Sequence, residues 1–152
     1  MSSLELKIPP PVVALLVAAA MWGLVFVVPP TASPSFRGAL ALAIAAVGIA
    51  FSISGVTAFA KAKTTKNPMK LQAATSLVVA GVYKFTRNPM YVGLLFLLLA
   101  WSVFLWSAWV LLGPFLFIAY ISRFQIAPEE KALATLFGGE YETYKARVRR
   151  WL

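Results

Sequence analysis

The chain has 152 residues, of which 61% are hydrophobic and only 12% are charged, and its formal net charge is +9. A soluble domain of this size needs more polar surface, so this composition argues against a soluble protein and favours one that faces lipid. The sequence has no Cys, no His and no Asp, which excludes disulfides, thiolate nucleophiles, His-based triads and zinc centres, and we expect no metal.

The first half of the chain contains two long apolar runs. The run at 11–28 carries no charge and is long enough to cross a hydrocarbon core of roughly 30 Å. A cleaved signal peptide is the alternative, but the run is long for one and a second run soon follows. That second run, at 37–60, has Gly48, Ser52 and Gly55 on one side of a helix. This spacing predicts close helix packing, which we assign to contacts within one bundle rather than to dimerisation.

The second half predicts a helical hairpin followed by a polar cap. The stretch between Arg87 and Arg123 has about 35 residues and no charge. One helix of that length would be about 52 Å long, too long for one crossing. Two crossings, at 89–104 and 107–124, fit better. The segment 125–152 is polar, and we expect Pro128 to open a helix there that ends at Gly138.

The distribution of charge predicts the topology. Most Lys and Arg residues lie in the connection at 61–87 and in the segment 125–152, so both segments and both termini are expected to be cytoplasmic. The basic residues flank apolar runs rather than forming a stripe on a soluble domain, so we expect membrane lipids and no nucleic acid as partners. The predicted fold is an all-α integral membrane protein, one domain over 1–152, with about four transmembrane helices and a cytoplasmic helical C-terminal cap.

Four short motifs in the second half carry the chemistry. They are R-N-P-M-Y-V-G at 87–93, E-E-K-A-L at 129–133, F-G-x-x-Y-x-x-Y at 137–144 and R-R-W at 149–151. Together, in this order across an apolar hairpin, they resemble the isoprenylcysteine carboxyl methyltransferase family and the related phospholipid methyltransferases. The resemblance covers roughly residues 78–152. It implies an integral membrane enzyme that uses S-adenosyl-L-methionine.

The resemblance also implies a set of site residues. The cofactor has a carboxylate that suits Arg, cationic groups that suit carboxylates, and an adenine that suits an aromatic slot. The residues expected to bind it are Gly81, Tyr83, Arg87, Asn88, Pro89, Tyr91, Glu129 and Glu130, of which Arg87, Asn88 and Tyr91 are the catalytic candidates. Arg149 and Arg150 are expected to meet an acceptor carboxylate or phosphate, with lipid head groups as the alternative. Acids in a first helical turn also favour the helix dipole without any ligand.

The sequence departs from the family pattern at one motif position. Asn88 stands where the family usually has His. An Asn side chain can donate and accept hydrogen bonds as a neutral His does, but it cannot take up a proton near neutral pH. We associate this replacement with bacterial members of the family, which implies a bacterial inner membrane as the location.

The predicted function is methyl transfer to a lipophilic or lipid-borne acceptor, through a carboxylate, amine or thiol. A small four-helix transporter is an alternative, but such proteins place an ionisable residue inside a span, and none of the four runs contains an interior charge. A non-catalytic lipid-binding membrane protein is a third possibility, which only the motifs argue against. The oligomeric state is left open.

Overall fold

The structure is a computed structural model that describes residues 5–27, 34–62 and 76–152. The predicted boundary at Val28, the loop that follows it up to residue 33 and the part of the basic connection at 63–75 lie outside the described residues. Within the described ranges the chain is all-helical, with no strand. The helices are α1 (Pro10–Val25), α2 (Pro34–Lys61), α3 (Pro89–Leu105), α4 (Leu112–Ile121), α5 (Ala127–Phe137) and α6 (Gly139–Arg147).

In the ranges that the structure describes, two helical stretches are long and apolar enough to cross a membrane. They are Ser35–Lys61, with 27 residues, and the continuous stretch Ala108–Phe137, with 30 residues. Helices α1 and α3 are apolar but have 16 and 17 residues, about 24 to 26 Å at 1.5 Å per residue. The structure therefore supports a membrane protein, and crossing by the two shorter helices is a proposal that depends on local bilayer thickness.

Small residues bring α2 and α3 into close contact. A Cβ atom added to Gly48 would lie 2.8 Å from the carbonyl oxygen of Gly93. One added to Gly93 would collide with the Ser52 side chain and lie 2.7 Å from the Gly48 oxygen. Near the start of α3, Gly55 packs against Met90. The small residues of α2 thus pack within one chain, as the sequence predicts.

Replacing Gly93 by Ala is expected to destabilise this helix pair. The added methyl group meets backbone of α2, which cannot move aside as a flexible side chain can, so the cost should be about 1–3 kcal/mol. Gly23→Ala is the matched control, because a Cβ at Gly23 meets nothing within 4 Å. Thermal unfolding in detergent measures both. Equal unfolding temperatures for the two variants would show that the α2–α3 contact is not this tight.

Helices α1 and α4 pack against each other and against α3. The indole Nε1 of Trp101 donates to the carbonyl oxygen of Ala18 at 3.1 Å, and its ring stacks on Trp22 with centroids 5.6 Å apart. On α4, Gly113 lies directly against Met21 of α1. The turn between α3 and α4 is at Trp106, whose φ of 48° is left-handed. The expected hairpin is therefore present.

The helix expected to begin at Pro128 is present as α5, which has this proline at its start and Glu129 and Glu130 in its first turn. It follows α4 without a break, through a π-helical turn at Ser122–Ile126. A proline inside an α-helix has no N–H to donate and its ring crowds the carbonyl four residues earlier, here that of Phe124. The π-helical turn makes room for the ring. The Phe124 oxygen instead accepts the backbone N–H of Leu6 at 3.1 Å.

The chain reverses at the end of α5. Gly138 has φ +52°, a conformation that Gly adopts without the strain of a side chain. This ends the helix where the sequence predicts. Helix α6 then leads back, and the N–H of Arg87 donates to the oxygen of Arg149 at 2.9 Å. The last residues thus lie beside the segment that precedes α3.

Candidate active site

The two main motifs meet through a buried carboxyl group. The hydroxyl of Tyr91, in the first turn of α3, donates to Oε1 of Glu129 at 2.5 Å. The side-chain amide of Gln125 donates to the same oxygen at 2.7 Å. Gln125 and Glu129 are both buried. They lie four residues apart, on one face of the continuous helical stretch Ala108–Phe137. Gln125 is not among the predicted site residues, although it lies four residues before Glu129 in the sequence.

The neighbouring acid, Glu130, lies between two arginines. Its Oε1 accepts Nη2 of Arg87 at 2.8 Å and Nε of Arg150 at 3.0 Å. Its Oε2 accepts Nη2 of Arg150 at 2.5 Å. The side chains of Arg87 and Glu130 are only 10% and 12% exposed, so this pair is poorly screened by water. The hydrogen bonds to Glu130 raise the pKa of Arg150 above its usual value.

The C-terminal segment is tied to the chain just before α3. The side-chain amide of Asn88 donates to the oxygen of Arg150 at 2.8 Å. The hydroxyl of Thr86 also donates to that oxygen, at 3.3 Å, and accepts the N–H of Asn88 at 3.2 Å. Thr86 is completely buried, and the sequence analysis did not single it out. Nothing in the sequence around a single Thr in a basic connection indicates that it will bind the C-terminal segment.

A 3₁₀ turn at Gly81–Lys84 forms the third side of the region. The hydroxyl of Tyr144 donates to the carbonyl oxygen of Tyr83 at 2.8 Å. Burial raises the pKa of Tyr144 above its usual value, so the hydroxyl keeps its proton and remains a donor. The ring of Tyr83 meets that of Phe59 edge to face, with centroids 5.5 Å apart. The turn is therefore held by both α2 and α6.

The structure brings most of the predicted site residues to one end of α3. Arg87, Asn88, Glu130 and Arg150 share one network, and Pro89 is buried in the first turn of the helix. Tyr91 and Glu129 form the adjacent buried pair. Of the remaining three, Tyr83 is buried in the 3₁₀ turn and the other two are exposed. Gly81 is exposed and has φ +63°, and the side chain of Arg149 is exposed while its backbone oxygen binds Arg87.

The donor set fits a ligand that carries both signs of charge. Among the described residues, Glu129 bonds only to Tyr91 and Gln125, so its carboxyl group has no cationic partner. The Nε atom of Arg87 is buried and has no hydrogen-bond partner in the described part of the chain. A cation beside Glu129 and a carboxylate beside Arg87 would satisfy these groups, and S-adenosyl-L-methionine has both. The described residues include no group of three or more acids that suits a metal ion.

Asn88→His and Asn88→Ala are expected to differ, since an imidazole N–H can replace the bond to the Arg150 oxygen and a methyl group cannot. The Ala variant should lose about 1 kcal/mol, the usual worth of one hydrogen bond, and the terminal segment should detach more often. Hydrogen exchange at residues 148–152 measures this. Equal exchange in both variants would contradict a positioning role for Asn88.

The chain is similar to two curated proteins over less than half of its length. It is 51% identical over 63 residues to an uncharacterized protein of Haemophilus influenzae, covering 41% of this chain and all of that one. It is 42% identical over 71 residues to methanethiol S-methyltransferase 1 of Bradyrhizobium diazoefficiens. The latter match covers 44% of this chain but only 22% of the relative. No solved structure matches the chain significantly.

A family model matches a larger part of the chain. The model describes phospholipid methyltransferases and matches residues 36–140, which include most of α2, all of α3 to α5 and both motifs that meet at Glu129. The apolar helices agree with the membrane setting of that family. The resemblance inferred from the motifs is thereby confirmed. The chain belongs to the phospholipid methyltransferase family, a family of membrane methyltransferases.

Proposed function

We propose that the chain transfers a methyl group from S-adenosyl-L-methionine to a lipophilic or lipid-borne acceptor at the membrane surface. The observation that carries this proposal is the hydrogen bond between Tyr91 and Glu129. It joins the two motifs of the family, whose bonded residues are 38 positions apart in the chain, and holds a carboxyl group that has no cationic partner within the described residues. Family membership supports the reaction class, and the donor set supports the cofactor.

Each group of the site has a separate task in this proposal. The bound cofactor supplies an activated methyl group on a positively charged sulfur. Glu129 attracts that positive end, and Tyr91 with Gln125 fixes the orientation of the carboxyl group. Arg87 offers its unpartnered Nε to the cofactor carboxylate. Glu130 holds Arg87 and Arg150 in place, so the terminal segment covers the site and limits the entry of water.

The acceptor class follows from the surroundings and the relatives. The family is described as acting on phospholipids, and one relative is named for a small apolar thiol. Both acceptors reach a membrane site from the lipid phase. Asn88 cannot accept a proton near neutral pH, so we propose an acceptor that is nucleophilic when it arrives, such as a neutral amine, a thiolate or a carboxylate.

We propose that the site lies at the cytoplasmic face of a bacterial inner membrane. Four crossings bring both termini, the basic connection and the C-terminal segment to one side. That side collects most of the basic residues, as the positive-inside rule requires. The single domain then has a C-terminal cap that lies over the start of α3.

Labelled cofactor tests the proposed function. The purified chain in lipid nanodiscs is incubated with methyl-labelled S-adenosyl-L-methionine and, in separate samples, a lipid amine, an apolar thiol and a fatty carboxylate. We expect labelled product with one class, and its loss in Glu129→Gln. Glu140→Gln is the control, because Glu140 is exposed in α6. Absence of cofactor binding at millimolar concentration, or equal turnover in both variants, would overturn the proposal.

A further inference from the structure

A second feature lies at the other end of α3, away from the candidate active site. There α2 and α3 border an open apolar groove with a volume of about 400 Å³. Small residues of α2 form its floor, and larger side chains of α3 form its wall. It is lined by Gly38, Ala41, Leu42, Ala45, Leu97, Ala100, Trp101 and Phe104. From Gly38 to Ala45 it extends about 10 Å along the helix, a third of a hydrocarbon core of roughly 30 Å.

Arg37 lies beside this groove. The guanidinium carbon of Arg37 lies 5.7 Å from the centroid of the Phe104 ring, which is part of the groove wall. The Nε atom of Arg37 is buried and has no hydrogen-bond partner among the described residues. A buried N–H group without a partner is costly. Within the described part of the chain, this leaves a donor without a partner beside an apolar groove.

No acid of this chain can neutralise Arg37. The sequence has five acids in all, and the structure places each of them at the opposite end of α3. Glu129 and Glu130 bond there to Tyr91 and to the two arginines, and Glu5 pairs with Arg123. The other two, Glu140 and Glu142, belong to α6. An anion for Arg37 must therefore come from outside the chain.

We propose that this groove binds an anionic phospholipid of the leaflet opposite the active site. Its phosphate receives hydrogen bonds from Arg37, and one acyl chain lies along the groove between α2 and α3. Charge complementarity decides for this occupant, because Arg37 has no carboxylate near it and phosphate is the anion that a membrane offers at this depth. The site is separate from methyl transfer, and of the proposed function it uses only the topology of four crossings.

A second copy of the chain fits the groove less well. A symmetric pair in one membrane would place two Arg37 side chains at the same depth near one another. Like charges without an intervening acid repel, and desolvation by lipid increases the repulsion. The chain offers no acid at this end to separate them. An anionic lipid head group neutralises the charge of Arg37, whereas a second copy of the chain adds a like charge beside it.

Native mass spectrometry with added lipid tests the site. The detergent-purified chain is titrated with phosphatidylglycerol and, separately, with phosphatidylcholine. We expect one phosphatidylglycerol adduct on the wild type, and at least fivefold less adduct on Arg37→Gln and on Gly38→Leu. The second variant adds bulk to the groove lining at a position where a Cβ itself meets nothing within 4 Å. Gly23→Leu and Arg123→Gln are the matched controls and should bind like the wild type, as Gly23 is equally open and Arg123 lies at the other end.

Several results would overturn the site. Arg37→Gln binding phosphatidylglycerol within twofold of the wild type would remove the role of the cation. Equal retention of phosphatidylcholine would remove the preference for an anionic lipid. Displacement of the adduct by millimolar inorganic phosphate would mean that the groove holds no acyl chain. A dimer that Gly38→Leu abolishes, without any lipid adduct, would assign the groove to a second copy.

Discussion

Replacement of Glu130 by Ala is expected to release the C-terminal segment from the start of α3. The change removes the shared partner of two arginines, and Arg87 would keep its charge while only 10% exposed. Removing one member of a buried ion pair typically costs about 3–5 kcal/mol. We expect about 3 kcal/mol here, because the Arg150 side chain is 40% exposed and water compensates part of its loss.

Limited trypsin digestion measures this release directly. Cleavage after Lys145 and Arg147 should become at least tenfold faster in Glu130→Ala, and affinity for S-adenosyl-L-methionine should fall with it. Glu142→Ala is the control, because Glu142 forms only an exposed pair with Lys145, which is worth little. Equal digestion of both variants would contradict the role assigned to Glu130.

Replacement of Glu129 by Gln is expected to weaken cofactor binding with little effect on the fold. The amide oxygen can still accept from Tyr91 and Gln125, so the hydrogen bonds that position it survive, while the negative charge is lost. Hydrogen bonds to charged groups are worth about 1.5–3 kcal/mol, which corresponds to roughly 10- to 100-fold in affinity. The KM for S-adenosyl-L-methionine should rise by that factor, and the unfolding temperature should stay near that of the wild type.

Tyr91→Phe separates charge from orientation at the same carboxyl group. The variant keeps Glu129 and its bond to Gln125 but loses the phenolic donor. We expect a smaller rise in KM than for Glu129→Gln, because one of two orienting bonds remains. A rise in Tyr91→Phe that exceeds the one in Glu129→Gln would show that Glu129 acts through position alone and not through charge.

The parts of the fold that composition and proline control were predictable. Pro34 and Pro89 begin two of the helices that the apolar runs predict. The length of the apolar stretch before Arg123 requires a turn, which lies at Trp106. The small residues of α2 announce a close contact by their spacing. These features follow from the local residue types and from the length of each apolar run relative to the bilayer thickness. Both can be read from a single sequence.

The continuation of α4 into α5 was not predictable. Pro128 normally ends a helix, and its effect here is removed by a π-helical turn and by Leu6, which satisfies the oxygen of Phe124 from far along the chain. The different partners of the two adjacent acids, Glu129 and Glu130, were also not predictable. Successive helical residues point about 100° apart, so Glu129 faces Tyr91 while Glu130 faces the arginines. Only the packing of α3 and the terminal segment determines which partners they meet.

Arg150 and Arg149 show the same limit. The motif predicts a pair of basic residues available to an acceptor. In the structure the Arg150 side chain is engaged by Glu130, and Arg149 contributes its backbone oxygen to the N–H of Arg87. A role in acceptor binding stays a prediction for both, and it now has to coexist with the structural bonds of Arg150.

The most direct measurement is photochemical cross-linking of labelled S-adenosyl-L-methionine to the purified chain, followed by tryptic mapping. If the start of α3 and the acidic pair of α5 enclose the cofactor, the label will appear in the peptides 88–123 and 124–131, and Glu129→Gln will reduce both. A label confined to residues 8–61, or none at saturating cofactor, would contradict the meeting of the two motifs around a cofactor.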